Sequence, residues 1–127
     1  MDTPRQTKTE EAYQEFKKEL NGDTSLLESF NFDNEIILRE FDHWVIIKNR
    51  FPYDKMARTN DMLVSKQPLS SRHDGTREEQ SEYETIMRLL AEEDFYDAYM
   101  ENFPKIKSVK RYVHVHLIQW HNTKQSS

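Results

Sequence analysis

Apolar and polar positions follow two different rhythms along this chain. Over residues 9–20, Tyr13, Phe16 and Leu20 recur at i, i+3 and i+7, which predicts a helix with a narrow apolar stripe. Thr9 stands where a capping side chain belongs, acidic residues follow it, and Gly22 within Asn21-Gly22-Asp23 marks the end. A plainer helix starts at Thr76. Thr76 and Glu79 have the spacing of a capping box, in which each side chain satisfies the other residue's backbone donor. Tyr83, Ile86, Met87 and Leu90 follow at i, i+3, i+4 and i+7, a stripe that reads as core-facing.

The remaining apolar segments read as strands. Residues 35–38 and 44–47 are rich in Ile and Val, which suit a pleated, half-buried surface. Phe41-Asp42-His43 between them fits a tight hairpin connection. Pro52 holds Phe51 extended and breaks the ladder. Residues 61–66 predict a third strand, 95–100 a fourth and 109–120 a fifth. Residues 25–30 predict a further short turn or helix, and 69–75 a polar loop. The polar ends, 1–8 and 122–127, read as loose tails around a single domain over 9–121. The whole predicts an α+β fold: a mainly antiparallel sheet of about five strands, one long helix and an N-terminal helix.

Composition narrows the possibilities. The 127 residues suffice for one core but not two. The net charge of -5 disfavours stable duplex nucleic acid binding, which depends on Lys and Arg neutralising phosphates. Lys105, Lys107, Lys110 and Arg111 nevertheless form a local basic cluster, either a solvated loop or an attraction for a phosphate. The absence of cysteine removes disulfides, thiolate metal sites and a cysteine nucleophile. No apolar run approaches the ~20 residues a membrane span needs, and the first residues lack the apolar core of a secretory signal. A cytoplasmic location is the default expectation.

Candidate chemistry lies in the fifth strand, Arg111-Tyr112-Val113-His114-Val115-His116-Leu117-Ile118-Gln119-Trp120. Strand side chains alternate faces. Val113, Val115 and Leu117 therefore share one face, and Tyr112, His114, His116, Ile118 and Trp120 share the other. Two imidazoles side by side, with a phenol next to them, can serve one phosphate. A neutral imidazole attacks phosphorus, and a neighbour delivers a proton to the leaving oxygen. Two further readings stand beside this one: a half-exposed face that carries two histidines, and a zinc site made by His114, His116 and His121. A regular strand turns His121 to the opposite face, and no fourth ligand lies nearby in sequence.

The order of segments resembles the histidine-triad superfamily of nucleotide hydrolases and transferases. Tyr112-Val113-His114-Val115-His116-Leu117-Ile118 matches its C-terminal pattern of three alternating histidines, with Tyr112 at the first position. Trp44 to Asp54, ending Asn49-Arg50-Phe51-Pro52-Tyr53-Asp54, resembles its strand followed by Asn-x-apolar-Pro, and Met62-Leu63-Val64-Ser65-Lys66 its next strand. The resemblance implies nucleotide phosphohydrolase or nucleotidyltransferase activity at an α-phosphate, through a nucleotidyl-histidine on His114. It implies that His116 holds a phosphate oxygen, with Tyr112 beside them. Asn49 is expected near the ribose, Asn102 before the phosphate loop and Ser108 on the phosphate. The chain departs from the pattern at Tyr112, at Ile106-Lys107 in place of Gly-Gln, at Asn60 in place of histidine and at Ser65 in place of proline. Ser108 also stands six residues before His114, where five is usual. The alternative expectation is therefore a catalytically weakened module that binds a nucleotide or a protein. The expected partner is a nucleotide or nucleotide conjugate. No cofactor, metal or membrane is expected, and the resemblance makes a homodimer one expected assembly.

Overall fold

The computed structural model describes residues 4–19, 35–69, 71–102 and 112–121. Two α-helices and five strands follow one another: α1 (Thr7–Glu19), β1 (Ile37–Glu40), β2 (Trp44–Lys48), β3 (Ala57–Ser65), α2 (Arg77–Glu93), β4 (Ala98–Met100) and β5 (His114–Trp120). A 3₁₀ turn, Arg72–Asp74, interrupts the expected polar loop before α2. The strands form one sheet in the order β1-β2-β3-β5-β4, and every neighbouring pair is antiparallel.

Register gives each face of the sheet its character. Trp44, Ser65 and Val113 lie in or beside one row, and Ile46, Leu63 and Val115 fill the next. These positions face α2, whose Tyr83, Ile86 and Leu90 complete the main core. Trp44 sits at its centre, its ring 5.2 Å from that of Tyr83, its indole N–H donating to the Glu79 carbonyl at 2.8 Å. Burying each such side chain stabilises the fold by roughly 1.5–3 kcal/mol. The opposite face carries three parallel rows: Val45, Val64 and His114; Ile47, Met62 and His116; and Asn60 with Ile118.

The capping box forms as predicted: the Thr76 hydroxyl accepts from the Glu79 N–H, and the Glu79 carboxylate accepts from the Thr76 N–H. Asp94 ends the helix in the left-handed conformation at φ 55°. The predicted hairpin also forms, closed by the Phe41 N–H on the Trp44 carbonyl at 2.8 Å.

Several boundaries differ from expectation. β1 spans Ile37–Glu40 rather than 35–38, with a bulge between Ile37 and Arg39. β3 begins at Ala57, ahead of the expected 61, because its polar start pairs with Trp120 and Gln119 of β5. β4 is confined to Ala98–Met100. The predicted turn at 25–30, the first residues of the predicted fifth strand and the tail after 121 lie outside the described residues.

The largest correction concerns the N-terminus. Residues 4–8 are held in place, and α1 starts at Thr7 rather than at a Thr9 cap. Asp54 supplies the cap from 48 positions away: its carboxylate accepts from the Gln6 N–H at 2.6 Å and from the Thr9 hydroxyl. Lys55 N–H donates to the Pro4 carbonyl at 2.9 Å. Arg5 is buried, donating from Nε to the Phe51 carbonyl at 2.7 Å. Tyr13 and Phe16 of the predicted stripe close on Phe51, at 5.3 and 5.4 Å between ring centroids.

Candidate active site

Alternation along β5 sends Val115 and Leu117 into the main core and leaves His114 and His116 together on the opposite face. The two rings meet edge-on, 5.7 Å apart at 74°. The alternative reading of a half-exposed face does not hold: His114 is 4% exposed and His116 3%. Tyr112 packs on the apolar cluster of Val45, Ile47, Met62 and Val64.

His114 Nδ1 lies 3.3 Å from the Tyr112 carbonyl oxygen. A carbonyl only accepts, so Nδ1 carries the proton and the basic lone pair stands on Nε2. The backbone of Tyr112 performs this service, whatever its side chain.

His116 is the hub of the site. Tyr53 stacks on it, with ring centroids 4.6 Å apart at 26°. Asn102 donates to the Tyr53 hydroxyl at 3.2 Å. Asn60 Nδ2 meets His116 Nδ1 at 3.1 Å, and Asn60 Oδ1 accepts from Asn49 Nδ2 at 3.0 Å. Arg5 lies over the Tyr53 ring, 4.9 Å from its centroid. Burial, then the neighbouring His114, then the Arg5 guanidinium lower the pKa of His116 to about 3. His116 Nε2 is buried with no hydrogen-bond partner among the described residues, and an orphaned buried donor or acceptor calls for an explanation.

Of the predicted residues, the fold thus gathers His114, His116, Tyr112, Asn49 and Asn102. Asn49 reaches the histidines through Asn60, with its own oxygen taken by the Phe51 N–H at 3.0 Å. Ser108 and the basic cluster at 105, 107, 110 and 111 lie outside the described residues. His121 is spent elsewhere, its Nε2 on the Asp54 carbonyl at 2.6 Å. Among the described residues, no group of three or more His, Asp or Glu is placed to hold a metal ion. No helix among them is long and apolar enough to cross a membrane.

Three participants escaped the sequence reading: Arg5, Tyr53 and Asn60. In the sequence Asn60 shows only as a departure from a family pattern, and Tyr53 only as a residue of the stretch Asn49-Arg50-Phe51-Pro52-Tyr53-Asp54. Nothing in the sequence marked Arg5, which stands in a polar stretch and reaches the site through tertiary contacts alone.

No protein-family model matches the sequence, and no curated protein matches it. Solved structures do. A histidine triad protein from Clostridium difficile superposes with a TM-score of 0.51 over 88% of this chain and 93% of that one, at 17% identity. The fold is that of a histidine-triad protein. Within this histidine-triad fold, His114 and His116 lie on the sheet face turned away from α2, and Tyr112 precedes them at the rim of the same face.

Proposed function

We propose that this chain is a nucleotide phosphohydrolase or nucleotidyltransferase that works through a covalent nucleotidyl-histidine on His114. The observation that carries the reading is the bond between His114 Nδ1 and the Tyr112 carbonyl. It leaves the ring's nucleophilic electrons on Nε2, beside a second buried imidazole whose Nε2 has no hydrogen-bond partner among the described residues. The likeness to a histidine triad protein supports the same reading.

In the first step His114 Nε2 attacks the α-phosphorus. The P–N bond to His114 forms as the bond from phosphorus to the leaving group's oxygen, or to its nitrogen in a phosphoramidate, breaks. The leaving group departs with the electron pair and takes up a proton from solvent. The ring gains positive charge, and the Nδ1–H bond to the Tyr112 carbonyl strengthens as it does. Interactions that grow toward the transition state are the ones that accelerate a reaction. In the second step water, or another acceptor hydroxyl, attacks the same phosphorus. The P–N bond breaks, its electrons return to Nε2 and the acceptor's proton is released. His116 gives a phosphate oxygen a hydrogen bond from a dry site, where electrostatic stabilisation is strongest.

The test is intact-mass analysis after rapid quenching without acid, using nucleoside phosphoramidates, dinucleoside polyphosphates and nucleotide sugars. A nucleotide-sized adduct that disappears in His114→Ala is the expected result, and the reactive compound names the leaving group. Nucleotide binding without adduct or product from any of them would favour the weakened binding module.

A further inference from the structure

The amides behind His116 run in a direction that the backbone sets. A backbone N–H only donates, so it fixes the orientation of any side-chain amide it meets. The Phe51 N–H donates to Asn49 Oδ1 at 3.0 Å, which turns Asn49 Nδ2 toward Asn60. The Tyr53 N–H and Asn49 Nδ2 both donate to Asn60 Oδ1, each at 3.0 Å. Asn60 Nδ2 must then face the other way, toward the Asp61 carbonyl and His116 Nδ1, both at 3.1 Å. Two donors cannot share that last contact, so His116 Nδ1 accepts. A neutral imidazole with an accepting Nδ1 carries its proton on Nε2, the buried nitrogen without a partner among the described residues.

We propose that Asn60 is a positioning residue that locks His116 in its Nε2–H tautomer and so makes it a permanent hydrogen-bond donor to an acceptor oxygen of a bound phosphate ester. The ligand in that statement rests on the function proposed above; the tautomer rests on the hydrogen bonds alone. The two histidines are thereby made chemically opposite. His114 is protonated on Nδ1 by its contact with a carbonyl, and His116 on Nε2 by its contact with an amide N–H. One ring offers a lone pair at Nε2 and the other a proton at Nε2, two residues apart on one strand. The His114 ring and the Arg5 guanidinium, the titratable and charged groups that act on His116, both oppose a second proton on it.

Asn60→Asp tests this with a nearly isosteric change. One carboxylate oxygen keeps the two donors that Asn60 Oδ1 has, and the other replaces the N–H donor facing His116 with an acceptor. Long-range ¹⁵N–¹H spectra of the full chain at pH 7 identify which imidazole nitrogen bears a proton. The wild-type chain is expected to show His116 protonated at Nε2 and bare at Nδ1. Asn60→Asp is expected to place a proton on Nδ1. Titrating AMP into the wild-type chain is expected to move the Nε2–H resonance downfield and leave Nδ1 bare. A wild-type His116 protonated at Nδ1 would overturn the proposal, and that measurement stands even where Asn60→Asp fails to fold. An unchanged tautomer in a folded Asn60→Asp overturns it equally. An Nε2–H signal indifferent to AMP, in a chain that still forms the His114 adduct, overturns the donor role. The same indifference without any adduct would instead count against the proposed function.

Discussion

At the scale of single residues, the site separates two identical side chains by what each touches. His116 is buried and held neutral, with its pKa down at about 3, whereas in the unfolded chain it titrates near the ordinary value of about 6.5. Below about pH 6.5 the unfolded chain therefore binds a proton that the folded chain refuses, and stability falls on acidification. The loss amounts to about 1.4 kcal/mol per pH unit until the folded-state pKa is reached near pH 3. Asp61 acts in the opposite sense, because burial raises its pKa despite the Tyr96 hydroxyl and Lys48. Comparison with His116→Gln cancels that contribution. Urea denaturation between pH 7 and pH 4 should show a shallower acid decline in His116→Gln than in the wild-type chain, and parallel declines would refute the assignment. Tyr112 gives a second residue-scale prediction. Its carbonyl orients His114, a contact that Tyr112→Phe leaves in place. Tyr112→Phe should thus form the nucleotidyl adduct at roughly the wild-type rate in the same mass assay, whereas a phenol that takes part in the chemistry would show as a lost adduct.

At the scale of elements, the N-terminal arm is fixed by a loop acid rather than by its own sequence. Asp54 gathers the Gln6 N–H and the Thr9 hydroxyl at the start of α1, where a carboxylate also meets the positive end of the helix dipole. Asp54→Ala should lower stability by about 1–2 kcal/mol in denaturant melts. It should also speed amide exchange over residues 6–10 and weaken the hold of Arg5 beside Tyr53; exchange as slow as in the wild-type chain would show that the arm docks without Asp54. This contact explains which elements the sequence revealed. The capping box at Thr76 and the alternation of Val113, Val115 and Leu117 are local signals, and both formed as read. The start of α1 was misread because its cap comes from 48 positions away. The pairing of His114 with His116 was legible because two same-face residues on one strand need no tertiary knowledge. The support of His116 by Asn60, Tyr53 and Arg5 was not, since burial and amide orientation arise only once β3, β5 and the arm meet.

At the scale of the whole molecule, the sheet separates the main core from the candidate site. Its α2 face holds the main core, while the other face spends buried volume on two histidines, two asparagines and an arginine. Polar groups in such a place are tolerated only when their hydrogen bonds are satisfied, and among the described residues His116 Nε2 is left on this face without a partner. A change in the α2 face should therefore cost folding free energy without touching the site. Ile86, 1% exposed on the helix, is the position to use. Ile86→Ala removes buried methyl groups and leaves a cavity, which should cost about 2–4 kcal/mol. At temperatures where the variant is still folded, the rate of adduct formation on His114 and the imidazole ¹⁵N pattern of His116 should match the wild-type chain. A drop in rate that follows the loss of stability, in chains that circular dichroism shows to be folded, would mean that the two faces are coupled through β3 and β5. The sheet would then transmit strain from its core to its histidines, and the geometry of His114 would depend on α2 as much as on Tyr112.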